Sequence, residues 1–163
     1  MEDNRSGGFW TYRILGIFNN FIAVLFLFGV MVNFGIAGFQ PSLLLPLFIA
    51  FSILLYTNLS VVFARQVLQA RKYLRTRLKD WIRVNAYVTL IYSVFQFLLL
   101  LVVLTGSNVL ETMGERLGMS VGTVRGVALF CMASSVLLGV HVVLSFRYLR
   151  RYGAYFQDPP AEQ

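Results

Sequence analysis

LFIAFSILLYTNLSVVFARQVLQARKYLRTRLKDWIRVNAYVTLIYSVFQFLLLLVVLT, residues 47–105, joins two long apolar runs through a segment carrying Arg65, Arg71, Lys72, Arg75, Arg77, Lys79 and Arg83. Neither Gly nor Pro interrupts it. A helix needs about 20 apolar residues to cross roughly 30 Å of hydrocarbon, and outside a closed barrel only a helix pairs its own backbone groups in lipid. The two runs, residues 43–64 and 86–104, meet that length. Working outward, residues 14–34 and 124–146 meet it too. None of the four holds Asp, Glu or Lys, and Arg125 stands at the edge of the last. The sequence therefore predicts an all-α integral membrane four-helix bundle over residues 14–152. A short flank, 1–13, precedes it and a flexible tail, 153–163, follows.

Composition agrees. Of 163 residues, 58% are apolar and 13% charged, far from the mix of a water-soluble domain. The net charge of +7 is not a nucleic-acid signature, because the Lys and Arg lie beside apolar runs rather than on a soluble basic face. Nucleic acid is excluded as a partner on that ground. The first apolar run exceeds the roughly 7–15 residues of a cleavable signal, so it reads as an uncleaved span despite Gly35, Ile36, Ala37 and Gly38 after it. Cys131 is the one cysteine, which leaves no disulfide and no redox pair.

Orientation follows from the charges, since Lys and Arg are retained in the cytoplasm. Twelve of the 14 flank one side: Arg5 and Arg13, the seven of the middle connection, and Arg147, Arg150 and Arg151. Only Arg116 and Arg125 flank the other. Both termini are expected in the cytoplasm, in a plasma or inner membrane. Trp10, Tyr12, Trp81, Tyr148 and Tyr152 fall where aromatic rings line a membrane boundary.

The connections carry their own signals. Gly35, Gly38 and Pro41 predict a tight first outer loop over 33–42. In the second, Val109, Leu110, Met113 and Leu117 recur at helical spacing. Ser107 and Asn108 are candidate caps and Gly118 a stop, which predicts a short surface helix in spite of Gly114. The middle connection places Val67, Ala70, Leu74, Leu78 and Trp81 on one helical arc and Arg65, Lys72, Arg75, Lys79 and Arg83 on another. Two arrangements fit: helices that extend into the cytoplasm and turn near residues 75–77, or one amphipathic helix lying on the anionic leaflet. Asp80 as the N-cap of the third helix favours the first. RKYLR at 71–75 resembles FRYLR at 146–150, and Trp10 with Arg13 resembles Trp81 with Arg83. Duplication of one helical hairpin would produce this, as would the preference of any cytoplasmic boundary for such residues.

Polar side chains within the spans are the strongest pointer to function. Asn19 and Asn20, Asn58, the stripe Asn85, Thr89, Tyr92 or Ser93 and Gln96, and the stripe Ser134, His141 and Ser145 concentrate in the cytoplasmic half. Two readings follow: hydrogen bonding between helices, or a hydrated pocket built from Asn19, Asn58, Asn85, Thr89, Tyr92, Gln96 and His141. No carboxylate lies in a span to orient His141, and no residue pattern asks for a metal or cofactor. An enzyme is unsupported. The sequence favours an accessory or interaction subunit whose basic segment, Arg71, Lys72, Arg75, Arg77 and Lys79, contacts anionic lipid or an acidic partner. Its membrane neighbours would be a second copy or another membrane protein. The competing reading is a small transporter or channel.

Overall fold

A computed structural model describes residues 5–38 and 40–157. Five helices account for nearly all of them: α1 (Arg5–Ala37), α2 (Leu44–Phe63), α3 (Thr76–Thr105), α4 (Ser107–Leu117) and α5 (Val121–Arg151). Among the described residues four stretches are long and apolar enough to span a bilayer, namely Trp10–Ile36, Pro41–Gln69, Thr76–Thr105 and Val121–Arg151. The protein is thus a multi-pass, all-helical membrane protein. Within the bundle α1 packs on α2, α2 on α3, α3 on α5 and α5 on α1, while α4 rests against α3 and α5.

At about 1.5 Å per residue, the 30 residues of α3 and the 31 of α5 each reach about 45 Å, well beyond the hydrocarbon core. The excess projects where the basic residues lie. α2 changes pitch there too: Ala64–Gln69 winds as a π-helix, and Ala70 donates its amide to the Arg65 carbonyl at 3.1 Å. Arg71 then takes a positive φ of 53° and Lys72 donates to the Gln66 carbonyl at 2.8 Å, which stops the helix without a glycine.

The chain reverses over residues 70–75, slightly before the expected 75–77, and α3 opens at Thr76 behind an extended Arg75. Asp80 is therefore not the N-cap; it lies inside α3. The reversal comes early because the π turn and Arg71 end α2 first. On the other side, α1 and α4 stop at glycines with positive φ, Gly38 and Gly118. The N-cap of α4 is Gly106 rather than Ser107 or Asn108. Gly114 is required: a Cβ there would stand 2.9 Å from the Met119 carbonyl as the chain folds back under α4. The two halves of the chain each supply one antiparallel pair and differ in their connections, a short 3₁₀ turn at Pro41–Leu43 against the 11 residues of α4.

Residues 153–157, expected to begin a flexible tail, are packed. Leu74 donates its amide to the Tyr155 carbonyl at 2.9 Å, and Gln157 donates to the Leu74 carbonyl at 3.0 Å. This parallel bridge lays Phe156 against Phe63, ring centroids 5.7 Å apart, and buries it. The rest of the expected tail, 158–163, lies outside the described residues. Two backbone hydrogen bonds and the Phe63–Phe156 contact hold the segment, and the sequence hid it because so short a run after a glycine carries no periodicity. Phe156→Ala should release the clasp at a loss of about 2 kcal/mol, somewhat under a full core truncation. The check is limited trypsin digestion in detergent, in which cleavage after Arg71 to Arg77 is expected to accelerate by at least about tenfold.

Candidate functional site

Each spanning helix buries one narrow stripe. On α1 it is Tyr12, Gly16, Asn19 and Ala23; on α2, Ser52 or Ile53, Tyr56, Ser60, Phe63 and Val67. On α3 it is Ile82, Asn85 or Ala86, Thr89 and Ser93; on α5, Ser134, Leu138, His141, Ser145 and Leu149. Steps of three and four keep each set on one face, so the polar members meet at the bundle axis.

They meet at Ser145. Its hydroxyl lies 2.9 Å from the Tyr12 hydroxyl and 2.7 Å from that of Tyr56, and Tyr56 lies 3.1 Å from His141 Nδ1. A chain of four groups thus ties α1, α2 and α5 together, with Tyr56 reaching across the bundle diagonal. The rings support it: Tyr12 stacks on His141 at 4.7 Å, and Tyr148 meets Tyr12 edge-on at 5.1 Å. Tyr12, Tyr56, Ser145 and His141 are all excluded from solvent. His141 Nε2 has no hydrogen-bond partner and points at Gly16, where a Cβ would come within 3.3 Å. The missing side chain at Gly16 is what lets α1 approach α5 so closely.

Most other buried polar groups answer to their own helix. Asn85 donates to the Trp81 carbonyl, Thr89 to Asn85, Ser93 to Leu90, Ser134 to Phe130 and Ser135 to Met132, at 2.7–3.0 Å. Such bonds hide polarity inside a helix and leave the surface apolar enough to pack.

The expected pocket residues accordingly fall in three places. Asn58 is exposed; it receives a 3.4 Å hydrogen bond from Asn20 at the seam of α1 and α2, while Asn20 accepts one from Thr57 at 3.1 Å. Asn85 and Thr89 are packed against neighbouring helices and paired within α3. His141 belongs to the closed junction. Asn19, Tyr92 and Gln96 instead line a cavity of about 260 Å³ in mid-bundle, together with Phe26, Cys131, Ser134 and Ser135. Tyr12 and Tyr56 were missed as site residues. Tyr12, expected among the boundary aromatics, is fully buried in the bundle, and its signal was its spacing to Gly16 and Asn19.

A second site forms at the basic end. Tyr152 lies under the guanidinium of Arg71 at 5.5 Å and that of Arg151 at 5.9 Å, while the Lys79 ammonium stands 5.7 Å from the Phe156 ring centroid. A hydrogen bond to the Tyr155 side chain pushes the Arg71 pKa up, so it stays charged. The clasp through Leu74 therefore joins the basic α2–α3 turn to the basic end of α5 as one face. Arg71, Lys72, Arg75 and Arg77 are exposed on it and Lys79 half-buried.

Among the described residues no group of His, Cys, Asp and Glu is placed to hold a metal ion. No family model, curated protein or solved structure matches the chain.

The junction yields a contrast between two serines of one helix. Ser145→Ala removes the hydroxyl on which Tyr12 and Tyr56 meet, leaving Tyr56 only His141 Nδ1, and should cost about 1–3 kcal/mol. Ser134→Ala removes only a bond within its own helix and should cost less than about 0.6 kcal/mol. Unfolding of the two variants in mixed micelles by sodium dodecyl sulfate titration measures both.

Proposed function

We propose that the protein is a non-enzymatic accessory or interaction subunit that works through its basic face, turned to the cytoplasm and engaged with anionic lipid headgroups or an acidic partner. The observation that carries this reading is the excess of cations over carboxylates in the connection between α2 and α3. Asp80 is the sole acidic residue between residues 47 and 105. Arg75, Arg77 and Lys79 also stand at the N-terminus of α3, where the helix dipole already presents positive charge. That placement is unfavourable for the chain alone and becomes favourable when phosphate or carboxylate oxygens lie against it. The aromatic rings of Tyr152 and Phe156 help fix Arg71, Arg151 and Lys79 at the surface instead of letting them fold into the bundle.

A transporter working from this end would need water to reach the polar interior past Tyr12, Tyr56 and Phe63, all of them fully buried. The packing there favours the interaction reading. The twelve positive residues on one side support a cytoplasmic placement of that end.

The test is replacement of Arg71, Lys72, Arg75, Arg77 and Lys79 by Gln in protein held in nanodiscs of mixed zwitterionic and anionic phospholipid. Each basic residue contributes about 1 kcal/mol near an anionic surface, so enrichment of anionic lipid around the protein, read by mass spectrometry, should fall at least about tenfold. Unchanged enrichment, with unchanged capture of an acidic partner from native membranes, would contradict the reading.

A further inference from the structure

The mid-bundle cavity stands apart from the basic face and from the closed junction at Ser145. It lies between α1 and α5, with Ile53 of α2 and Tyr92 and Gln96 of α3 also lining it, and its walls include the exposed Leu25 and Phe130. Its apolar lining includes Ile22, Phe26, Ile53 and Leu138. The lining also carries polar groups that the fold leaves unused. Among the described residues the Tyr92 hydroxyl and the Gln96 amide have no hydrogen-bond partner, and Asn19 reaches only the Leu137 carbonyl at a long 3.5 Å. The hydroxyls of Ser134 and Ser135 are already donated to their own helix. Among the described residues His141 Nε2 is the one fully enclosed side-chain polar atom without a partner, and it lies in the closed junction, outside this cavity. Unpaired amide and phenol groups at membrane depth are costly, so their clustering at one cavity marks a place where an outside molecule completes the pairing.

We infer that this cavity binds the head of a neutral lipid bearing carbonyl oxygens. No charged residue lines it, which excludes an ionic headgroup. Tyr92 and Gln96 lie one turn apart on one face of α3, so a carbonyl set between them accepts from the phenol and from the amide. A volume of about 260 Å³ admits a ring or a glycerol ester but not a whole lipid. The tail must leave between α1 and α5, past Leu25 and Phe130, into the surrounding acyl chains. Two sources supply this chemistry: a prenylated quinone and a diacylglycerol.

The experiment uses the full chain in detergent micelles, with a short-chain alkyl benzoquinone, dioctanoylglycerol and decane as three separate probes, and thermal unfolding as the readout. One of the two carbonyl probes should raise the unfolding temperature by about 5 °C at saturation while decane leaves it unchanged. Which of the two acts identifies the source. The shift should vanish in the Tyr92→Phe/Gln96→Leu double variant, whose stability without probe should equal or exceed that of the wild type, because the groups removed are unpaired. Ala23→Leu, which fills the cavity and keeps its polar groups, should abolish the shift independently. No shift from either carbonyl probe, an equal shift from decane, or a shift that survives both variants would overturn the proposal.

Discussion

A bilayer core offers no water, so every polar group brought into it must find its partner inside the protein. That constraint explains why this chain is built from long helices, and it explains more than the backbone. The serines and threonines of α3 and α5 donate to carbonyls three or four residues earlier, so that helix faces carrying hydroxyls still pack as apolar ones. Where a side chain is too long or too rigid to fold back on its own helix, its polarity crosses between helices. Tyr12 and Tyr56 are such side chains, and both end on Ser145. The three-helix junction is thus the structural counterpart of the self-paired serines, and it fixes how α1, α2 and α5 stand to one another.

Outside the hydrocarbon the constraint is lifted and the chain changes character. The extra turns of α3 and α5, the π turn of α2 and the clasp of residues 153–157 all lie at the end where Lys and Arg gather. Charges there are held against rings rather than against carboxylates. An end with cations on aromatic shelves and, among its described residues, one acidic side chain suits an anionic surface, whereas the sealed junction beneath it suits a static scaffold. The cavity in mid-bundle is a different kind of place, because there the pairing rule is left incomplete.

Much of this was legible in the residues. Apolar length gave the four spanning helices, because that depends on the solvent. Gly118 and the spacing of Val109, Leu110 and Met113 gave α4. What escaped depended on distance between segments. His141 was readable as a polar residue on an interior face, but its partners Tyr56 and Tyr12 lie 85 and 129 positions away, and boundary aromatics look alike whether they face lipid or a neighbour. Asn58, Asn85, Thr89 and Gln96 were read as one set with Asn19 and His141. Helical spacing assigns a residue to a face, yet it cannot say whether an amide will turn back on its own helix, as Asn85 does, or stay unpaired, as Gln96 does. The clasp through Phe156 was invisible for the same reason.

The central claim is that the interior beneath the basic face is closed to water, with the Tyr12, Tyr56 and Ser145 hydroxyls paired within the protein. Its most direct test is single cysteines at Ser60, Ser145 and Arg77 in a Cys131→Ala background, exposed in native membranes to a water-soluble thiol reagent. The account predicts rapid labelling at position 77 and none at 60 or 145. Labelling at 145 in folded protein would mean that water reaches the Tyr12, Tyr56 and His141 junction, and would contradict it.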